Sequence, residues 1–379
     1  MTPEEKLQIL GDSAKYDVSC CGGSQRQVGN IPGLYYASGS RGKVIPILKT
    51  LFTNECKNNC MYCVNRVSRD IPRATFTPDE LAKTFAEFSR QQFVEGLFLS
   101  SGVAGQANQT MQKMIDTAAL LRYKHRYRGY IHLKILPGSH HSMIRRALKF
   151  ATRVSVNIET PTPQQLCQIT TGKDFHRDII DTMEIIKEET EQKTGWVDQS
   201  TQFIVGATKE TDQQIVKTMA WLREKKGLNR TYFSAYTPVD KAQSHQDLVQ
   251  SFQRKNRLYQ TEFLLRLYGF NSKEIYFNQE GKLPNNIDPK LNYALHNQEK
   301  FPIEINTASR HQLLRIPGIG QIAAERIIQA RHEGRLSHLT SLKQLGAATK
   351  RAAPFILING KKQGSLKDLN LSEQLSLNL

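Results

Sequence analysis

The sequence predicts an α/β protein, a partial (β/α)6 barrel followed by a small all-α domain. Three observations carry this expectation. Six short apolar runs between Val44 and Tyr236 each lead into a stretch of helical periodicity, the last ending near Tyr268. Residues 283–302, which include Pro284, Asn285, Asn286, Pro289 and Pro302, break that rhythm and read as a linker. Beyond them, residues 303–360 read as short helices. Six strand-then-helix units in a row call for a parallel sheet with helices outside it. Right-handed crossovers curl such a sheet one way throughout, and chemistry is expected at the C-terminal ends of its strands. A doubly wound open sheet is the competing architecture.

Residues 1–43 form an N-terminal extension, with a helical pattern from Glu4 to Leu10 and a Gly- and Ser-rich stretch from Cys20 to Gly42. The barrel region spans 44–282 and opens on the apolar strand Val44–Phe52. Thr77-Pro78-Asp79-Glu80 begins a helix, with Thr as N-cap, Pro in the first turn and acids following, and the helix runs to about Gln92. Strand Gly96–Ser100 leads to a helix from Asn108 to about Tyr127. Strand Tyr130–Leu136 precedes a helix over 141–150, and strand Arg153–Ile158 precedes one from Asp174 to about Gln192. Strand Thr201–Val205 pairs with helix Thr211–Lys225, and strand Arg230–Tyr236 with the long helix His245–Tyr268. Residues 361–379 read as a frayed tail.

Composition narrows the function classes. Hydrophobic residues make up 39% of the 379, which excludes a wholly disordered chain. No run of eighteen apolar residues exists, and Met1–Lys6 lacks the charged-then-apolar pattern of a signal peptide. A cytoplasmic protein with no membrane partner is expected. Lys and Arg number 52 against 35 Asp and Glu, a net charge of +17, which points to a polyanionic partner, nucleic acid first. A solvated basic surface is the plainer alternative. Residues 301–350 share the bias, with seven Lys or Arg against three Asp or Glu.

Three of the six cysteines fall within eight residues, in Cys56-Lys57-Asn58-Asn59-Cys60-Met61-Tyr62-Cys63. The spacing is C-x3-C-x2-C, in a loop just after the first barrel strand. In a long chain of this kind, a tight cluster reads as metal or redox chemistry rather than a disulfide frame. Thiolates bind zinc or iron–sulfur clusters. A structural zinc site needs a fourth ligand, and the chain holds no second C-x2-C or H-x3-H pair. In a four-iron cluster three cysteines leave one iron open. The alternatives are a zinc site completed by a distant His, or three core cysteines.

The C-x3-C-x-aromatic-C pattern after the first strand of a βα barrel resembles the radical S-adenosylmethionine (SAM) superfamily. That resemblance implies a radical SAM type of barrel and two cofactors, a [4Fe–4S] cluster held by Cys56, Cys60 and Cys63 and SAM chelated on the fourth iron. The reduced cluster would cleave SAM to a 5′-deoxyadenosyl radical. Tyr62 resembles the aromatic that lies against the adenine. Ser100, Ser101 and Gly102 resemble the segment that meets the SAM amino group, although they depart from its common Gly-Gly-Glu form. Ser155, Asn157 and Glu159 share one face of the fourth strand. They suit the ribose and methionine groups or, alternatively, an internal hydrogen-bond network. Gly206 resembles the adenine-side backbone segment. Arg66, Arg69 and Arg73 follow the cysteines, as contacts to SAM or a phosphate, or as surface charges. Cys20 and Cys21 offer a hydrogen donor to a product radical or part of a second cluster site, the alternative being a loop or core role. Cys167 reads as structural.

Residues 305–328 hold Leu313-Leu314-Arg315-Ile316-Pro317-Gly318-Ile319-Gly320, followed by Ala323, Ala324, Ile327 and Ile328 at helical spacing. This resembles a helix-hairpin-helix motif. Gly318 and Gly320 permit a tight positive-φ path. Backbone N–H groups of Pro317-Gly318-Ile319-Gly320 and the following helix start would then make an anion nest for a phosphate, which positions nucleic acid without reading sequence. A hairpin used for protein contact is the alternative. Arg122-Tyr123-Lys124-His125-Arg126-Tyr127-Arg128 interleaves aromatics with cations, as a nucleic-acid surface or as a solvated helix end.

The combined layout resembles a bacterial family of radical SAM proteins described as acting in DNA modification or repair. The resemblance extends to Ala14-Lys15-Tyr16-Asp17 and Arg257-Leu258-Tyr259-Gln260. It implies an enzyme acting on nucleic acid, DNA before RNA, with an electron donor such as flavodoxin or ferredoxin. An RNA-modifying enzyme, and a non-enzymatic nucleic-acid-binding protein with a structural or redox-sensing cluster, are the alternatives.

Overall fold

A computed structural model of the chain describes residues 1–15, 17, 31–38, 44–192, 197–239 and 245–369. The chain divides into two compact units, residues 1–210 with 221–255, and residues 211–220 with 256–379.

In chain order the first elements are α1 (Pro3–Ala14), β1 (Leu34–Ser38), β2 (Val44–Leu51), α2 (Pro78–Arg90), β3 (Gly96–Ser100) and α3 (Ala107–Tyr123). They continue with β4 (Tyr130–Lys134), α4 (His141–Ala147), β5 (Arg153–Ser155), α5 (Pro163–Ile169), α6 (Asp181–Glu191) and β6 (Asp198–Val205). Helix α7 (Asp212–Lys225), β7 (Arg230–Ala235) and α8 (His245–Leu267) complete the βα succession.

The seven strands lie side by side in chain order. β2 through β7 are all parallel, and β1 adds antiparallel to the outer edge of β2. A strictly sequential order with no reversal excludes the doubly wound sheet. Leu51, Ser100, Lys134, Gln202 and Ser234, from five different strands, line one cavity, so the sheet curls around it. Each of the six expected strand–helix units is present. Strand β1 was not expected, because its short Leu34-Tyr35-Tyr36-Ala37 run lies inside the Gly- and Ser-rich stretch. Helix α2 starts as its sequence dictates: Thr77 Oγ1 accepts from the Glu80 N–H, and the Glu80 carboxylate accepts from the Thr77 N–H.

The second unit contains α9 (Pro289–His296), β8 (Ile303–Glu304), α10 (Arg310–Leu313), α11 (Gln321–Glu333), α12 (Leu339–Gln344), α13 (Thr349–Ala352), β9 (Ile356–Ile358) and β10 (Lys361–Lys362). Two expectations change here. The stretch 283–302 is not a featureless linker. Asp288 caps α9 by accepting from the Lys290 and Leu291 N–H groups, and Leu291 and Ala294 are fully buried in the same core as Ile316, Ile319 and Ile327. The region after it is mainly helical but carries a small sheet, with β9 parallel to β8 and antiparallel to β10. Asn359 and Gly360, both at positive φ, make the two-residue turn between β9 and β10. Asn-Gly between two strands is a strong hairpin signal.

Because Leu291 belongs to that core, Leu291→Ala should destabilise the protein by about 2–5 kcal/mol in urea unfolding. A linker residue would tolerate the change.

Candidate functional site

The cavity in the mouth of the barrel has a volume of about 370 Å³. Its walls include Cys56, Cys60, Tyr62 and Cys63 from the loop after β2, and Ser100, Ser101 and Gly102 from the end of β3. Asn157, Glu159, Lys134, Lys173 and Asp17 also face it.

The cysteine loop is shaped from both sides. A Cβ on Gly102 would lie 2.2 Å from the Glu55 carbonyl oxygen and 3.2 Å from Cys56 Cβ. Only glycine lets β3 approach this closely, and the Lys57 N–H donates to the Val103 carbonyl at 2.9 Å. On the other side, the Met61 N–H donates to the Ile169 carbonyl at 2.9 Å, and Cys60 Sγ lies 3.1 Å from Thr170 Oγ1. Arg73 ties the rest of the loop together by donating to the carbonyls of Asn54, Asn65, Arg66 and Arg69. Of the three loop arginines, Arg69 reaches the cavity and Arg73 is scaffold, while Arg66 donates to the Met61 carbonyl. Burial, followed by the neighbouring Cys60 and Cys56, pushes the Cys63 thiol up to about 12.

Beside this loop lies a buried triad. Glu159 is 2% exposed and holds the left-handed φ of 63°, which turns its carboxylate into the cavity. Its Oε1 accepts from the Tyr62 hydroxyl and the Lys173 ammonium, each at 2.7 Å. Lys173 also donates to the Tyr62 oxygen at 2.8 Å. Burial alone would lower the Lys173 ammonium, but Glu159, with Cys60 and Cys63 behind it, holds it above the ordinary lysine range. Burial and Glu159 push the Tyr62 phenol well above its usual value. The second carboxylate oxygen, Oε2 of Glu159, is buried with no partner among the described residues. A buried acceptor left unpaired costs about 1–3 kcal/mol and suits a ligand hydroxyl or N–H.

A second ion pair enters the cavity from the N-terminal segment. Asp17 pairs with Lys134 of β4, their side chains 20% and 12% exposed. Burial would raise the Asp17 carboxyl, but Lys134 leads Ser100 and Lys49 in holding it below its ordinary value. The sequence marks Asp17 only as part of the Ala14-Lys15-Tyr16-Asp17 segment, with no role, and does not single out Lys134 or Lys173. A signal for Lys134 exists, since Tyr130, His132 and Lys134 put polar groups on one face of a buried strand. Lys173 sits in a loop with no periodicity to mark it.

Other expected residues are placed elsewhere. Ser155 does not line the cavity; its hydroxyl lies 2.9 Å from His132 Nε2, the internal partner allowed for above. Gly206 takes a positive φ of 90° and donates its N–H to Glu210 at 2.6 Å, away from the cavity lining. Cys20 and Cys21 lie outside the described residues. Cys167 is an exposed residue of α5. The 122–128 cluster is partly a structural corner. Arg122 donates to the Phe150, Tyr127 and Gly129 carbonyls, and the Tyr127 hydroxyl to the Glu95 carbonyl.

In the second unit, Gly318 has a positive φ of 85°, and a Cβ there would lie 2.5 Å from the Ala348 carbonyl oxygen. Gly320 is instead extended, as the N-cap of α11 with no side-chain cap. Pro317 and Ile319 are buried, so the hairpin presents backbone rather than side chains. The Gly318 carbonyl accepts from the Ala348 N–H at 2.8 Å, and the Ile319 carbonyl from the buried Lys290 ammonium at 2.5 Å.

A parallel βα half-barrel with a three-thiol loop at the mouth defines a class of cluster-bearing barrels. Residues 50–222 match the radical SAM superfamily and residues 298–355 a helix-hairpin-helix motif, so the chain carries a radical SAM domain followed by that motif. The superfamily's cofactors are a [4Fe–4S] cluster and SAM. Three thiols on one loop fit such a cluster. Among the described residues no three or more His, Cys, Asp or Glu side chains form a group that could hold a single metal ion. No curated protein matches the chain.

Several solved structures are similar in fold. The FeFe-hydrogenase maturase HydG from Carboxydothermus hydrogenoformans is 15% identical, with 56% of this chain and 50% of HydG covered and a TM-score of 0.45. Methylornithine synthase (PylB) is 12% identical over 55% of this chain and 61% of that one, with a TM-score of 0.41. The protein anSMEcpe with bound AdoMet is 14% identical over 57% and 61%, also at 0.41. The chain thus spans about half the length of HydG.

Removing one partner of a buried ion pair costs about 3–5 kcal/mol. Asp17 has a depressed folded value, so the pair's contribution is present above about pH 4, the unfolded Asp value, and fades as pH falls below it. Lys134→Met should therefore destabilise by about 3 kcal/mol at pH 7 and by clearly less at pH 3, read from urea midpoints.

Proposed function

We propose that this chain is a radical SAM enzyme that acts on nucleic acid, DNA before RNA, in repair or modification. The observation that carries the reading is the meeting of the Cys56, Cys60 and Cys63 thiols with the unpaired Glu159 Oε2 in one cavity. When bound, the cluster and SAM supply one-electron cleavage and a hydrogen-abstracting carbon radical. The three thiolates hold the cluster. Tyr62, pinned by Glu159 and Lys173, presents a fixed aromatic face beside it, and Glu159 Oε2 takes a hydroxyl of the nucleoside. Ser100, Ser101 and Gly102 offer oxygen and backbone groups to the amino acid end of SAM, with Asn157 just beyond the end of β5. Leu51, Val103, Ile135 and Leu136 keep water away from the reacting carbon.

The nucleic-acid part of the reading rests on the second unit. The extended Gly320 starts α11 with no side-chain cap of its own, and the Gln321 N–H meets the Tyr268 oxygen. Such a helix start favours a phosphate. The +17 charge supports a polyanion. A base inside a duplex must be unstacked to reach a cavity within a barrel. A one-electron donor such as flavodoxin or ferredoxin would reduce the cluster, in the cytoplasm. No helix among the described residues is long and apolar enough to cross a membrane.

Anaerobic reconstitution followed by dithionite and SAM should yield 5′-deoxyadenosine, and Cys60→Ala should yield none. Equal yields from both proteins would end the enzyme reading. Duplex DNA should bind with affinity that falls steeply between low and physiological salt. Gly318→Ala should weaken that binding at least tenfold while leaving iron content unchanged. Binding or stimulation by RNA alone would replace DNA as the substrate.

A further inference from the structure

We propose that Lys173 sets the reduction potential of the iron–sulfur cluster, its buried positive charge, held on Tyr62 of the cysteine loop, making the reduced cluster easier to form. The inference rests on the reading of Cys56, Cys60 and Cys63 as the cluster ligands.

The segment carrying Lys173 is laid along the cysteine loop by contacts that leave it little freedom. Thr170 Oγ1 stands 3.1 Å from Cys60 Sγ, and the Ile169 carbonyl accepts from the Met61 N–H at 2.9 Å. A Cβ on Gly172 would lie 2.4 Å from the side-chain Oδ1 of Asn58, so glycine lets the segment pass without displacing that amide. The next residue, Lys173, then turns its side chain inward. Its Nζ is 2.7 Å from Glu159 Oε1 and 2.8 Å from the Tyr62 oxygen, and 5.5 Å from the centre of the Tyr62 ring. Tyr62 is the residue before Cys63. The Lys173 side chain is only 11% exposed, so solvent and salt screen its charge weakly.

The physical consequence is electrostatic. A [4Fe–4S] cluster gains one electron, and one negative charge, when an external one-electron donor reduces it. Net charge, hydrogen bonding and solvent exposure around a cluster govern its potential. A positive charge held close by in a poorly screened site stabilises the more negative, reduced form. Glu159 offsets part of that charge, but its main effect is to anchor the ammonium. The bidentate grip of Glu159 and Tyr62 on one Nζ keeps the charge at a fixed distance, which a flexible surface lysine could not do. Neither the spacing motif nor a structural role for the loop requires a lysine here.

The test is a redox titration of the reconstituted cluster in the absence of SAM, followed by electron paramagnetic resonance of the reduced state. Lys173→Gln keeps a hydrogen-bonding side chain without the charge, Lys173→Met removes both, and Lys173→Arg keeps the charge. For the Gln and Met variants the ratio of reduced to oxidised cluster at a fixed potential should fall about tenfold, a midpoint about 59 mV lower for a one-electron couple. The Arg variant should stay near wild type. A wild-type midpoint in a Gln or Met variant with full iron content would overturn the proposal. So would an Arg variant shifted as far as the Met variant, since a structural role would then explain both. Failure of the wild type itself to take up a four-iron cluster would instead remove the reading of the cysteines on which the proposal stands.

Discussion

The close packing of three backbone segments around the loop after β2 is the constraint on which the site depends. Gly102 at the end of β3 and Gly172 after α5 each lack the Cβ that would strike the loop, at 2.2 Å from Glu55 and 2.4 Å from Asn58. With those contacts made, backbone hydrogen bonds to Val103 and Ile169 hold the loop from both sides. The thiols need no further scaffold, because the barrel edge already supplies one. Placement at strand ends also follows from the sheet's order, since parallel strands with outer helices leave their C-terminal ends open.

Inside the half-barrel the packing is unusually polar for a core. Lys49, His132 and Ser200 are each no more than 2% exposed. Lys49 lies over the Tyr35 ring at 4.9 Å, and Arg153 pairs with Asp198 at 2.8 Å while donating to the Tyr232 hydroxyl at 3.1 Å. His132 Nδ1 and Ser200 Oγ are buried without partners among the described residues. Burial, Arg153 and Lys134 keep the His132 imidazole well below its ordinary value, so it is neutral near pH 7. Replacing buried ion pairs with apolar residues is often neutral or stabilising, so the Glu159–Lys173 and Asp17–Lys134 pairs in the cavity point to function rather than stability. The first unit therefore tolerates a costly interior next to its cavity, offset by apolar packing between the sheet and its outer helices.

The second unit solves a different problem with few residues. Its hairpin exposes backbone by burying Pro317 and Ile319, and it satisfies the inner carbonyls with the Ala348 N–H and the Lys290 ammonium. Burial brings that lysine down to about 7, with Arg351 and Arg315 opposing its charge and Asp288 favouring it. Helix α9 contributes both Lys290 and the core residue Leu291. The hairpin's shape thus depends on a helix that precedes it by some thirty residues, in a stretch whose prolines read as a linker.

The succession of strands and helices, the capping of α2 and the chemistry of the cysteine motif could be read from the chain because each is local. Periodicity, caps and ligand spacing are set by neighbours a few residues apart. The Asn359-Gly360 turn is equally local, but no apolar alternation surrounds it to mark a hairpin in the sequence. Tertiary structure alone decided which polar residues meet. Asp17 reaches Lys134 across more than a hundred residues, and Lys173 reaches both Tyr62 and Glu159. Ser155 turned to His132 rather than to the cavity because β5 ends there and the chain turns at Glu159. Such pairings depend on strand register and on how closely two glycines let backbones approach, and neither quantity is written in the spacing of residues along one chain.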